Sequence, residues 1–144
     1  MQQKRFWFSV VSVWLVMFVT DWALHGMWLN GLYMETSQFW RPAEEMQSAM
    51  WGAWLGNLIF AWAFVWIYTK GISQDNPWHQ AFRYALAILL VSKVPTLLGQ
   101  WTYSTFPPEL LWKWGVVYIV QAFACAFAMT WVIKPAWMAS AQKA

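Results

Sequence analysis

Two charged side chains, Asp21 and Lys93, stand inside otherwise apolar runs and have the most chemistry to offer. A charge at mid-bilayer costs about 2.5–3.5 kcal/mol on insertion scales, so it is retained for a partner or a pathway. At the rise of a helix, Asp21 lies about 22 Å above Phe6 and Lys93 about 22 Å above Trp78, which lets them share one level. Counted down from the other side, Asn57 is about 19 Å above Lys70 and Gln121 about 19 Å above Lys134. Each of four apolar stretches thus brings one strongly polar side chain to a common layer, and in lipid such groups must hydrogen-bond one another. The expectation is an ion pair of Asp21 with Lys93, flanked by Asn57 and Gln121. It would fix helix register by preference, with an ion or proton relay as the alternative. Pro95 removes a backbone donor two residues past Lys93 and either kinks that helix or frees a carbonyl for a substrate.

His25 follows Asp21 by four residues, one turn further along the same helix face. A D-x3-H pair can bind a metal or pass a proton, but two ligands from one helix are not a site. The acids that would complete it, Glu35, Glu44 and Glu45, lie around the first loop with Arg41. The expected role of His25 is an interfacial imidazole bonded to Asp21 or water, with no metal and no cofactor. Met27, Met34, Met46 and Met50 gather at the same end; thioethers suit Cu(I), yet methionine is more often packing material. His79 falls at the opposite face from His25, too far to share a haem. The single Cys125 lies in an apolar run and leaves no intrachain disulfide. There is no phosphate-binding Gly-rich loop, no HExxH, and no Ser or Cys nucleophile with a placed base, so a non-enzyme is expected.

The elements that must position these residues follow from composition. The chain has 144 residues, 60% hydrophobic and only 10% charged, where a soluble domain carries about 25% charged residues. Such a chain cannot build a water-facing surface. One all-α domain over 1–144 is expected, an integral membrane four-helix bundle with helices at about 6–32, 43–69, 77–101 and 109–133. Lys4 and Arg5 before an apolar run resemble a secretory signal, but no A-x-A cleavage pattern follows, so the first helix is read as uncleaved. Pro42 with Glu44 and Glu45, Asn76-Pro77, and Pro108-Glu109 are start signals, because proline lacks an N–H that would be orphaned there and early acids favour the helix dipole. Gly71 and Pro135 are the matching stops.

Six basic residues, Lys4, Arg5, Lys70, Arg83, Lys134 and Lys143, flank the spans on one side, against Arg41 and Lys113 on the other. The positive-inside rule therefore puts both termini in the cytoplasm. Trp7, Trp66, Trp78, Trp131 and Trp137 mark one boundary, and Trp28, Trp40, Trp51, Trp101, Trp112 and Trp114 the other. Gly52 and Gly56, with Ser48 a turn earlier, and Ala122 with Ala126 offer small faces for close helix packing. The net charge of +3 is scattered rather than clustered, which argues against nucleic-acid binding.

The run D-W-A-L-H-G-M-W-L-N-G-L-Y-M-E-T-S-Q-F-W-R from Asp21 to Arg41, then P-A-E-E-M and F-V-W-I-Y-T-K-G ending at Gly71, resembles an uncharacterised group of small four-helix bacterial membrane proteins. The resemblance covers about the first half of the chain and implies a bacterial inner membrane; it transfers no catalytic residue. Within it Asp21, His25, Tyr33, Thr36, Trp40 and Arg41 form the set to follow. The reading that results is a non-enzymatic multi-pass inner-membrane protein, an accessory or assembly subunit whose partners are lipid and other membrane subunits or itself. The alternative is a small ion- or proton-coupled carrier or channel, acting as an oligomer through Asp21, Lys93 and His25.

Overall fold

The computed structural model describes residues 3–71 and 76–141, with side chains described up to residue 133 in the last helix. Four helices are long and apolar enough to cross a membrane: Gln3–Trp28, Ala43–Lys70, Pro77–Tyr103 and Pro108–Ile133. Lys143, one of the basic residues used for orientation, lies outside the described residues, as do the side chains of Lys134 and Trp137.

Each helix start has a local cause. Pro42, extended at φ −50° and ψ 147°, caps the second span, and Glu44 and Glu45 occupy its first turn. The Asn76 side chain accepts from the Trp78 backbone N–H at 2.9 Å and satisfies an orphan donor of the third span. Two boundaries differ from the sequence expectation. The first helix does not run on to residue 32: it ends at Trp28, and Asn30–Glu35 is a separate short helix. Leu29 makes the break because it is wholly buried against Leu110 and Val117 of the fourth helix, which turns the chain across the bundle end. Nor does Pro135 stop the fourth helix, which continues to Ala141. A proline removes one hydrogen bond at a cost of about 3 kcal/mol, a penalty that long flanking turns can absorb.

The first span packs along both the second and the fourth, and the third packs along the fourth and meets the second where the Tyr84 ring contacts Phe64 and Tyr68, so the first and third lie diagonally across the bundle. The end bearing both termini is solid. Val10, Val13, Phe64, Val65, Ala81, Ala85, Ala126 and Met129 interlock there, each at most 1% exposed. The alanines permit close backbone approach, which gives dispersion contacts their full value. The distal end is different: a smaller cluster of Leu29, Leu32, Leu110 and Val117 pins the short helix to the fourth span, while the second span from Ala43 to Gly56 is exposed at every residue.

The two small-residue faces consequently part company. Ala122 and Ala126 are buried, whereas a side chain at Gly52 or Gly56 would meet nothing within 4 Å. Ala126→Leu is expected to cost about 1–3 kcal/mol by overpacking, and Gly56→Ala to stay within about 0.5 kcal/mol of the parent. Thermal unfolding in detergent, followed by Trp fluorescence, checks both.

Candidate functional site

Polar side chains meet halfway along the bundle. Asp21 begins a stretch of π-helix, Asp21–Trp28, in which the Leu29 N–H reaches back five residues to the Leu24 carbonyl at 2.9 Å. Asn57 Nδ2 donates to Asp21 Oδ2 at 2.7 Å, and Gln121 Nε2 donates to Asp21 Oδ1 at 2.5 Å. The same amide contacts Thr20 Oγ1 at 3.2 Å. Both carboxylate oxygens are therefore held by neutral amides from the two neighbouring spans, an arrangement of charge-assisted bonds stronger than neutral ones.

Lys93 stands apart from this group. The expected direct pair with Asp21 is not formed, and among the described residues Lys93 makes no ion pair. Its Nζ lies 4.7 Å from the centroid of the Tyr118 ring and 5.3 Å from that of Phe60. The cause is the order of the helices: the third span packs between the fourth and the second, diagonal to the first. The aromatic faces offer the ammonium cation–π attraction in place of contact with the carboxylate. Lys93 also closes a π-helical stretch, Leu89–Lys93. Pro95 two residues on would drive its ring into the Val91 carbonyl in a regular helix, and the wider π turn relieves that collision. Both charges within the apolar helices thus sit at π-helical segments, where backbone bonds are already irregular.

Toward the distal end the bundle opens into a cavity of ≈ 830 Å³. Its walls come from the end of the first span, the first loop, the start of the second span and one face of the fourth; they include His25, Tyr33, Trp40, Arg41, Met46, Trp114 and Tyr118. Tyr33 organises it. Its hydroxyl accepts from Trp114 Nε1 at 2.8 Å and lies 2.5 Å from His25 Nδ1. A phenol proton given to Nδ1 lets Tyr33 bond both neighbours at once and keeps the hydrogen of His25 on Nε2. Nε2 is 4.0 Å from Asp21 Oδ1, so one imidazole lies between the cavity wall and the carboxylate of the polar layer. Burial pushes the Tyr33 phenol above its usual value of 10, so it remains a donor at neutral pH.

Trp40 packs edge-on to Tyr33 and stacks on Phe106, and its Nε1 donates to Thr36 Oγ1 at 3.1 Å. Thr36 is buried and donates in turn to the Leu32 carbonyl. The sequence run from Asp21 to Arg41 is therefore brought together as a single wall. Glu35, Glu44 and Glu45 do not join it: all three are exposed, and none lines the cavity. Among the described residues no three His, Cys, Asp or Glu side chains converge. The sequence marks Trp114 only as a boundary aromatic and does not single out Tyr118. Their separation by four residues, one face of one helix, was the signal that both could serve one wall.

In comparisons with known proteins the chain matches no family model, no curated protein and no solved structure.

Proposed function

We propose that this chain is a non-enzymatic, multi-pass protein of the bacterial inner membrane, termini cytoplasmic, that holds an amphipathic small molecule in the distal cavity. The observation that carries this reading is the cavity itself. Its volume of ≈ 830 Å³ falls in the range of ligand sites, its walls are mainly aromatic and apolar, and a few polar groups converge on it at His25, Tyr33 and Arg41. The exposed Trp, Phe, Leu and Ile side chains around the bundle suit lipid tails, and the basic residues concentrate at the terminal end. A closed terminal half below an open distal half is also the form of a carrier loaded from outside. Asp21 and His25 would then couple the ligand to a proton, and Lys93 would balance the carboxylate.

The test is extraction and mass spectrometry of protein purified in mild detergent. About one equivalent of an amphipathic compound per chain is expected, and Ser37→Trp, which fills the cavity, should lose it. An extract with only bulk lipid, in the same proportions for both proteins, defeats the reading.

A second reading, an accessory or assembly subunit of a larger membrane complex, is favoured by one observation: the second span is exposed on all sides from Ala43 to Gly56, with Trp51 and Trp54 more than half exposed. A defined heterocomplex on native purification would support it. A monomer would leave lipid as the cover of that face, and a homo-oligomer a second copy of the chain.

A further inference from the structure

Behind the distal cavity lies a second, much smaller space of ≈ 10 Å³, bounded by Met17, Phe60, Lys93, Tyr118, Gln121 and Cys125 among others. It has room for about one water. Of the residues that bound either space, Tyr118 alone bounds both. On one side its ring forms cavity wall beside Trp114; on the other it carries the Lys93 ammonium, 4.7 Å from the ring centroid. The inner space touches Gln121, whose amide grips Asp21, so it opens directly on the polar layer.

We infer that Tyr118 is the partition between the ligand cavity and the polar layer, a single ring that keeps the body of a bound molecule out and confines passage to species the size of water or a proton. The inference rests on the cavity reading above and adds to it a selectivity element. Three features support it. The ring is half-buried rather than locked in the core, so it can swing on χ1 without dismantling the packed terminal half. Its attraction to Lys93 gives the closed position a cause. Beyond it Val13, Ala126 and Met129 are each at most 1% exposed, and the polar side chains buried in that half, Ser9, Tyr68 and Thr130, with the half-buried Tyr84, are bonded to backbone carbonyls or to one another, so the packing closes the bundle below the layer.

The chain supplies its own reporter. Cys125 is the single cysteine, it is 1% exposed, and it lines the space behind Tyr118. A small anionic methanethiosulfonate is applied from the distal side to the full chain in sealed vesicles. In parallel, Ser37→Cys in a Cys125→Ala background reports access to the cavity, because Ser37 is an exposed cavity residue. The Ser37→Cys protein should label rapidly, and native Cys125 about 100-fold more slowly because access limits the thiol. Tyr118→Ala should speed Cys125 labelling about tenfold or more, whereas Tyr118→Phe, which keeps the ring, should leave it protected. Tyr118→Leu repeats the opening test with less lost volume, and Ser37→Cys labelling in each background reports an intact fold.

Native Cys125 reacting as fast as the cavity position would overturn the partition. So would continued protection of Cys125 in both the Ala and Leu variants while the cavity position still labels. A cavity position that resists the reagent in every background would remove the cavity reading and the partition together; loss of the co-purified compound alone, with the labelling pattern intact, removes only the former.

Discussion

Asp21→Leu is expected to destabilise the bundle by about 2–4 kcal/mol, because it strips the acceptor from two amide donors at once. Asn57 and Gln121 come from different spans, and each spends its side-chain N–H on one carboxylate oxygen, at 2.7 Å and 2.5 Å. Leucine fills the volume but leaves the Asn57 donor facing apolar surroundings and the Gln121 amide with only its longer contact to Thr20. Lys93→Met should cost only about 1 kcal/mol, since what it loses is attraction to two rings. The magnitudes separate two pictures of the layer. If Asp21 and Lys93 formed a contact pair, neutralising both would be markedly milder than removing the carboxylate alone. With the charges apart, the double variant should equal the sum of the singles to within about 0.5 kcal/mol. Reversible unfolding in mixed detergent, read by Trp fluorescence on all four proteins of the cycle, measures the coupling. A double variant clearly more stable than Asp21→Leu would restore the pair.

The four helices were legible because their causes are local. Pro42, Pro77 and Pro108 each stand where a helix can begin and cannot be interior, and the apolar stretches between are of spanning length. The level of the polar layer was legible too, since rise per residue is constant enough to align Asp21, Asn57 and Gln121. Which members touch was not, because contact depends on the lateral order of the helices. Axial spacing says nothing of that order, and it was the order that sent Lys93 to Tyr118 and Phe60. The break at Leu29 was hidden for a related reason. The hydropathy of the run to Leu32 continues unbroken, and only the distant Leu110 and Val117 turn the chain there. The glycine pair at Gly52 and Gly56 carried a packing pattern that the single chain does not use.

Tyr33→Phe removes one oxygen and should unsettle the whole distal wall. Trp114 Nε1 loses its acceptor and His25 Nδ1 loses its donor, while shape and area barely change. The two unmet groups predict a loss of about 2–3 kcal/mol, large for so conservative a change. The His25 tautomer is then no longer fixed, so the imidazole ceases to hold Nε2–H toward Asp21, and retention of the amphipathic compound should fall with it. The pH dependence tests the burial of the hydroxyl on which this rests. Burial raises the Tyr33 phenol above 10 in the folded protein, so the folded state holds its proton after the unfolded state has released one. That contribution is complete below pH 10 and drains away as pH climbs toward the raised value. Stability of the parent relative to Tyr33→Phe should therefore be level up to pH 10 and decline above it, as read from paired unfolding curves. A difference that grows above pH 10, or stays flat through it, would show that the hydroxyl is not buried in the wall as this prediction requires.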